Sequence, residues 1–338
     1  MRIWVDIINP SHALFFNVVL REMTGERFQV TIRERAETVQ LTKLLGIEGR
    51  VIGADHRNGV KKSLGMVSRT LALWTAVDDF DCALSFENGM SVWVSKVKGG
   101  RSILLCDNDL KFFQKKSMLQ YMETGVKDLA DRIIIPQACR GAFESNMNGQ
   151  GLYAYDGYKE DVYIADYTPD PHFMDSLPFD RYVVIRPEAL ASFYVLENRT
   201  LVPDLVRMFR ENGINVVYLP RDKGDADYAA GLDAYVPDRA LNGLDLCYHS
   251  DAVLTGSGTM AREAACMGKT SVSFFPGDGL LSVDREMIDG GRMFHSREPG
   301  AILEHVLSNM KENGGVDLSR SRKVKADVIR LIREACTD

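Results

Sequence analysis

A chain of 338 residues is longer than one ordinary hydrophobic core requires, and it predicts two domains of about 150 residues each. Hydrophobic residues make up 45% and charged residues 26% of the chain, values that exclude a largely disordered protein. The net charge of −6 offers no basic face to neutralise phosphates, so we expect no nucleic-acid partner.

The beginning of the chain and its cysteines bear on its location. Residues 3–8 form an apolar stretch of strand length, and no run approaches the eighteen apolar residues of a membrane-spanning helix. The six cysteines are widely spaced without a C-x-x-C pair, which predicts buried thiols in a reducing compartment and no zinc site. We therefore expect a cytoplasmic protein with neither a signal peptide nor a transmembrane segment.

Short β-branched runs alternate with amphipathic stretches in the first half of the chain, a pattern typical of βαβ units and a parallel sheet. The predicted strands are 3–8, 28–32, 50–52, 82–86, 102–106 and 132–135. Residues 151–180 break this rhythm because they are rich in Tyr, Asp and Pro, which disfavour continuous helix and central strand. The domain hinge is predicted there.

A second series of strands follows, at 182–185, 216–219, 252–254 and 271–275. The predicted domains are 1–165 and 166–317. A last helix, 318–335, carries an apolar stripe at Val324, Val328, Leu331 and Ile332 that must be buried. We expect this helix to return to the first domain.

Residues 254–268 pass from a strand through a glycine turn into a helix that begins near Thr259. Glycines allow close approach of a phosphate, and the free N–H groups of the first helical turn favour an anion. The turn residues Gly256, Ser257, Gly258 and Thr259 are therefore predicted to hold a diphosphate. Glu263, about one turn into the helix, is placed to accept hydrogen bonds from a ribose diol.

Two other interpretations of this turn stay open. Residues 256–261 also match the G-x-G-x-x-A dinucleotide pattern, with Asp278 about twenty residues later. That pattern normally follows the first strand of its domain, whereas this turn follows the third. The turn could also close tightly without binding any ligand.

The segment 256–275 resembles the phosphate and ribose site of the glycosyltransferase-B superfamily, especially the non-hydrolysing UDP-N-acetylglucosamine 2-epimerases. Ser257, Gly258 and Glu263 match their Ser-Gly-Gly loop and ribose-binding Glu, while Thr259 replaces the second glycine. Segments 9–12, 157–160, 185–188 and 256–265 resemble an uncharacterised family of that superfamily. The resemblance implies an α/β fold with two Rossmann-like domains that face each other across a cleft.

Ligands of open α/β sheets collect at the carboxyl ends of the strands, so polar residues there are candidates for the site. The candidates for substrate binding, besides the glycine turn and Glu263, are Asn9, Ser11, Arg186, Glu188 and Arg221. The candidates for catalysis are His12, as a general base with a pKa near neutrality, and the carboxylates Glu87 and Asp107. The epimerases carry catalytic carboxylates near these two acids, although their His-Gly-Asp pattern is replaced here by residues 86–88. A structural role for each of the three residues stays open.

Two further patterns bear on metals and membranes. Residues 107–109 form a D-x-D sequence, a short pattern that arises often by chance. Since a helix N-terminus and Arg186 already neutralise a diphosphate, we expect no obligate metal and no cofactor. Lys111, Lys115 and Lys116 allow a peripheral membrane contact, although such a run is more often a solvated helix face with two buried aromatics.

Together these features predict an enzyme that uses a nucleotide sugar, a UDP-sugar by the resemblance. The leading hypothesis is a metal-independent glycosyltransferase in which the second domain binds UDP and the first presents the acceptor and the base. The alternatives are a UDP-N-acetylhexosamine 2-epimerase, which needs no acceptor, and a nucleotide-sugar-binding protein without catalysis. The sequence specifies neither the sugar, the acceptor nor the oligomeric state.

Overall fold

The computed structural model describes residues 1–35, 37–54, 59–113, 118–147, 151–188, 199–221, 223–277, 279–310 and 315–337. The chain divides into two compact units. The first unit comprises Met1–Tyr163 together with Arg322–Asp338, and the second unit is Ile164–Ser321. The second unit is thus inserted in the chain between two segments of the first. The predicted boundaries at 165 and 317, as limits of independent domains, stay predictions.

The first unit is built on a parallel sheet that has seven strands within the described ranges. They are β1 (Arg2–Ile7), β2 (Arg27–Glu34), β3 (Arg50–Ala54), β4 (Cys82–Phe86), β5 (Arg101–Leu105), β6 (Arg132–Pro136) and β7 (Leu152–Tyr155). Their order is β3-β2-β1-β4-β5-β6-β7, and each neighbouring pair is parallel. The central strands are apolar on both faces because helices cover both sides of such a sheet.

Helices connect the strands of the first unit and follow the last of them. They are α1 (Pro10–Glu22), α2 (Thr38–Leu44), α3 (Gly59–Ala76), α4 (Gly89–Lys98), α5 (Leu110–Phe113), α6 (Met118–Lys127), α7 (Arg140–Asn146) and α8 (Lys159–Ile164). Because consecutive parallel strands need such crossovers, the alternation in the sequence predicted the architecture correctly.

The second unit has a parallel sheet of five strands in the described part of the chain, β8 (Tyr182–Arg186), β9 (Asn215–Tyr218), β10 (Ala252–Thr255), β11 (Thr270–Ser273) and β12 (Phe294–His295). Their order is β12-β11-β10-β8-β9. The helices of this unit are α9 (Val202–Glu211), α10 (Lys223–Ala226), α11 (Gly243–His249), α12 (Gly258–Cys266), α13 (Ser282–Asp289) and α14 (Pro299–Asn309). The last helix of the chain, α15 (Ser319–Thr337), begins in this unit and belongs to the first unit from Arg322 onward. The predicted α/β class with two Rossmann-like sheets is confirmed.

The stretch 151–180 was predicted as irregular, and this is wrong for its first part. Leu152–Tyr155 forms the edge strand β7, paired with β6, and the helix α8 follows it. Tyrosine favours strands, and an edge strand needs partners on one side alone, so the neighbouring Asp and Pro residues are tolerated. The two-residue strand β12 was also missed.

The apolar stripe of α15 is buried as predicted, and Val328 and Ile332 are fully enclosed. Val324 fills the space beside Gly157, where any side chain would collide with it. All six cysteines are buried free thiols, in agreement with the sequence. In the described residues no helix is long and apolar enough to cross a membrane.

Candidate functional site

The glycine turn of the second unit joins β10 to α12. Ser257 precedes the helix with an extended backbone, but its side chain does not cap the helix. The Ser257 hydroxyl instead lies 3.1 Å from Oγ1 of Thr255, which also accepts a hydrogen bond of 3.0 Å from the Ser257 backbone nitrogen. Ser257 therefore leaves the N–H groups of the first helical turn to another acceptor, as in helix N-termini that bind anions.

Gly256 brings the ends of β10 and β8 into close approach. Its backbone nitrogen donates to the carbonyl oxygen of Arg186 over 3.1 Å. A Cβ atom on Gly256 would lie 2.5 Å from Cα and 2.7 Å from the backbone nitrogen of Glu188. Since backbone cannot yield as a side chain can, only glycine fits there. The turn is thereby fixed beside Arg186.

Arg186 is the last residue of β8, where it pairs in register with Thr255 of β10. Its side chain is half-buried, and its buried Nε atom has no hydrogen-bond partner among the described residues. A buried donor left unpaired costs about 1–3 kcal/mol, and most such groups in folded proteins have an acceptor. An anion at the glycine turn would supply that acceptor.

Glu188 has a different environment, although it was predicted beside Arg186. Its carboxylate pairs with Nη1 of Arg297 at 2.6 Å and accepts hydrogen bonds from the Leu201 backbone nitrogen at 3.0 Å and the Thr200 hydroxyl at 2.7 Å. The side chain is enclosed. These contacts hold the loop behind the turn, and a role for Glu188 in binding substrate stays a prediction.

Two charged residues lie next to each other on α12. Glu263, the predicted ribose ligand, is 8% exposed. Arg262 pairs with Asp284 over 2.8 Å, and its guanidinium occupies the space that a side chain on Gly258 would need. Arg262 therefore brings a second guanidinium to the turn, and this residue was not among the predicted ones. The four-residue spacing from Gly258 was the available signal, since helical side chains lean towards the N-terminus.

The remaining predicted residues of this unit are Arg221 and Asp278. Arg221 follows a strand that is two places from β10 in the sheet, and Asp278 lies outside the described residues. Arg221 is exposed and follows the edge strand β9, which pairs with β8 and not with β10. Its backbone nitrogen donates to Oδ2 of Asp225 over 3.2 Å. Asp278, the acid of the dinucleotide alternative, lies outside the described residues, as do Lys115 and Lys116 of the first unit.

In the first unit, His12 lies in the first turn of α1, packed against the ring of Phe86 with the ring centroids 4.8 Å apart. Its Nε2 atom is 3.3 Å from Nδ2 of Asn9, and its buried Nδ1 has no partner in the described structure. Burial, followed by the positive charge of Lys159, lowers the pKa of His12 to about 3. The ring is therefore neutral at physiological pH and has a low proton affinity.

Glu87 follows β4 in the left-handed region, with φ of 53°. One carboxylate oxygen accepts hydrogen bonds from the backbone nitrogens of Asp107 and Asn108, at 3.1 and 3.0 Å. The other oxygen pairs with the ammonium group of Lys127 and lies 3.6 Å from that of Lys111. Burial opposes ionisation, but these two lysines outweigh it and hold the pKa of Glu87 below its usual range.

Asp107, after β5, pairs with Lys159, which also lies 2.8 Å from Oε1 of Glu160. Lys159 is 4% exposed, at the start of α8. Residues 157–160 stood out by their resemblance alone. This ion pair was not predicted, because nothing local in the sequence links Lys159 to Asp107. Asn9 and Ser11 are half-buried at the end of β1.

The structure thus brings His12, Glu87 and Asp107 to the carboxyl edge of one sheet, in a network of buried lysines. The charges of Glu87 and Lys159 both act on the pKa of His12. In the described residues no three His, Cys, Asp or Glu side chains group so that they could hold a metal ion. The catalytic assignments and the independence from metal stay predictions.

The chain has relatives among known proteins. The uncharacterized protein MJ0665 of Methanocaldococcus jannaschii is 25% identical over 328 residues, which cover 93% of each chain. The UDP-GlcNAc 2-epimerase of the same organism, solved in complex with UDP-GlcNAc and UDP, superposes with a TM-score of 0.71 at 11% identity, over 98% of this chain and 100% of that one. The glycotransferase of kitacinnamycin superposes with a TM-score of 0.59 at 12% identity, over 99% and 97%.

At these identities the structural likeness shows the fold alone, which is the glycosyltransferase-B-like α/β fold that the sequence predicted. The resemblance predicted from residues 9–12, 157–160, 185–188 and 256–265 is therefore confirmed. A family profile described as "Protein of unknown function (DUF354)" matches residues 1–337. The chain belongs to the DUF354 family.

Proposed function

We propose that this protein is an enzyme that uses a UDP-sugar, and specifically a metal-independent glycosyltransferase. Two observations in the described residues carry the proposal: the N-terminus of α12 has no side-chain cap, and the buried Nε of Arg186 has no hydrogen-bond partner. Two sets of unused donors beside one glycine turn match the needs of a diphosphate. The diphosphate would bind at residues 257–259.

The resemblance to solved structures supports this choice of ligand. The epimerase with the same fold was solved with UDP-GlcNAc and UDP, and another protein of this fold is a glycotransferase. In our proposal the ribose of UDP binds Glu263, and the guanidinium of Arg262 adds positive charge near the turn.

The proposed reaction is displacement at the anomeric carbon of the sugar. An acceptor oxygen forms the new bond to that carbon, the bond to the diphosphate breaks, and UDP leaves with the bonding electrons. The helix N-terminus and Arg186 stabilise the charge that develops on the leaving diphosphate, where most of the rate enhancement would arise. In this proposal the guanidinium of Arg186 and the N–H groups of α12 replace the divalent metal that other enzymes use to neutralise a diphosphate. We therefore expect activity in the presence of a chelator.

The first unit would supply the base and bind the acceptor, with Asn9 and Ser11 near the reacting sugar. His12, Glu87 and Asp107 are the proposed catalytic residues. His12 is neutral and therefore able to accept the acceptor's proton, but its low pKa makes it a weak base unless a bound anion raises that pKa. Nδ1, which has no hydrogen-bond partner among the described residues, is the ring nitrogen that would take that proton.

A UDP-N-acetylhexosamine 2-epimerase is the second candidate. The observation that favours it is the direct link between the two carboxylate-bearing loops, since the backbone of Asp107 donates to Glu87. Two neighbouring acids suit the removal and return of a proton at a sugar carbon. Incubation with UDP-sugars alone distinguishes the candidates, because only an epimerase turns over without an acceptor.

The test of the binding proposal is calorimetric titration of the intact protein with UDP and with NAD. We expect saturable binding of UDP and none of NAD. Arg186→Gln should weaken UDP binding about tenfold to a hundredfold, the value of a hydrogen bond to a charged group. The matched control is Arg181→Gln, because Arg181 lies before the opposite end of β8 and pairs with Asp251. NAD binding without UDP binding would overturn the proposal, and UDP binding without turnover of any UDP-sugar would leave the nucleotide-sugar-binding alternative.

A further inference from the structure

Two cysteines that are far apart in the chain meet in the first unit. Cys82 is the first residue of β4, and Cys336 lies near the end of α15, 254 positions later. Their Sγ atoms are 2.7 Å apart. A disulfide bond has an S–S distance of about 2.05 Å, so the two thiols need a movement of well under 1 Å to become bonded.

The end of α15 is held in this position by contacts of its own. The guanidinium of Arg101 donates to the carbonyl oxygens of Ala335 and Cys336, over 3.5 and 3.0 Å. The buried stripe of the helix fixes the rest of its length against the same unit. The two thiols are therefore adjacent because both parent elements are anchored, and not because a loose chain end passes nearby.

The two thiols differ in access. Cys82 is fully buried, whereas Cys336 is 6% exposed and lines a surface cavity of about 520 Å³. The cavity is also lined by the charged side chains of Asp81, Lys96, Arg101 and Asp131, of which Lys96 and Asp131 form an ion pair. A small molecule in the cavity can therefore meet Cys336 before it meets Cys82.

We propose that Cys82 and Cys336 are a redox-active pair that closes into a disulfide on reaction with a low-molecular-weight disulfide. The Cys336 thiolate attacks one sulfur of that reagent, forming a mixed disulfide and releasing one thiolate. Cys82 then loses its proton and attacks Sγ of Cys336, which forms the Cys82–Cys336 bond and expels the second thiolate. Two protein thiols are oxidised by two electrons, and one reagent disulfide is reduced to two thiols.

The bond would change how the chain is connected. The second unit, Ile164–Ser321, lies between the two cysteines in the sequence. A Cys82–Cys336 disulfide joins the two segments of the first unit covalently, so that unfolding of the second unit no longer separates them. Closing so long a loop restricts the unfolded chain strongly and should raise the melting temperature of the first unit by about 5 °C or more.

The experiment equilibrates the reduced full-length protein in glutathione buffers of increasing oxidised fraction, followed by acid quenching and mass measurement. We expect the protein to lose the mass of two hydrogens, the number of free thiols to fall from six to four, and a cross-linked peptide to join Cys82 and Cys336. Tryptophan fluorescence follows melting of the first unit, since Trp4, Trp74 and Trp93 all belong to it.

Three variants make the result specific. Cys82→Ser should trap glutathione on Cys336, because the second thiol is missing, and Cys336→Ser should neither lose hydrogens nor melt at a higher temperature after oxidation. Cys247→Ala removes a buried thiol of the second unit and should still lose two hydrogens. An unchanged mass of the wild-type protein in fully oxidised glutathione, or a stable glutathione adduct in place of the internal bond, would overturn the proposal.

Discussion

The backbone of Glu188 fills the space that a side chain on Gly256 would need. A Cβ atom at that position would lie 2.5 Å from Cα of Glu188, closer than real Cβ contacts come. Glu188 is itself held by Arg297 and by the loop at residues 200–201, so it has no room to retreat. The close approach of these two residues fixes the glycine turn against the end of β8.

Gly256→Ala should therefore distort the turn. We expect a loss of about 1–3 kcal/mol in the free energy of unfolding, as for other overpacked sites, and at least a tenfold loss of UDP affinity. Gly243→Ala is the matched control, since Gly243 begins α11 with nothing within 4 Å of an added Cβ. Urea unfolding and UDP titration of both variants provide the check. Equal unfolding free energies and equal UDP affinities of the two variants would show that the close approach of Gly256 to Glu188 contributes neither to stability nor to binding.

Glu263→Ala tests the proposed ribose contact. Losing one or two hydrogen bonds to a charged group should weaken UDP binding by about 1.5–3 kcal/mol, while the protein remains folded. Glu286→Ala, which changes an exposed carboxylate of α13, serves as the control. Titration calorimetry with UDP measures both, and unaltered affinity in Glu263→Ala would refute the ribose assignment.

His12 should make the stability of the first unit depend on pH. Its pKa is about 3 in the folded protein, against an ordinary value of 6.5 for a histidine in the unfolded chain, so the unfolded chain binds the proton more readily. The stabilising effect is therefore complete above pH 6.5 and is lost as the pH falls from 6.5 towards 3. Between about pH 7.5 and about pH 5 this group alone should cost about 2 kcal/mol of unfolding free energy.

The measurement for His12 is urea unfolding followed by tryptophan fluorescence at the two pH values. His12→Gln should lose about 2 kcal/mol less than the wild type over this interval. His172→Gln, at an exposed histidine of the second unit, should behave like the wild type. An identical pH dependence in His12→Gln and wild type would contradict the burial of a neutral imidazole.

Glu87 and Glu123 both pair with the buried Lys127, but the side chain of Glu87 is 15% exposed and that of Glu123 is 43% exposed. Glu87→Gln removes the less exposed of the two carboxylates that pair with the buried ammonium group of Lys127, and it should cost about 3–5 kcal/mol of stability. Glu123→Gln should cost less than about 1 kcal/mol, as exposed pairs do. Chemical denaturation at neutral pH compares them, and similar losses would argue against a structural role for the Glu87 pair.

Much of the fold follows from the sequence because each strand carries its own signal. The predicted strand 82–86 coincides with β4, and most other predicted strands agree within two residues. The edge strand β7 was missed because its four residues border a segment rich in Asp and Pro, and β12 is too short to show a period. Both depend on pairing with a neighbouring strand, which the local sequence does not encode.

The residues of the candidate site also differ in whether the local sequence predicts them. The glycine turn was predictable because a strand, glycines and a helix follow one another directly in the chain. The pairs Lys159–Asp107 and Arg262–Asp284 were not, because their partners are 52 and 22 positions apart and meet only in the folded protein. The low pKa of His12 likewise arises from burial and from Lys159, neither of which the loop sequence reveals.

The place of α15 in the first unit has a consequence for the order of events during protein synthesis. Val324 covers Gly157, yet the 158 residues of Ile164–Ser321 are translated between the two segments of that unit. At about 5–20 residues per second, the ribosome needs roughly 8–30 s to make them. During that interval the nascent sheet lacks its last helix, and the apolar surface around Gly157 and Cys82 is open to chaperones.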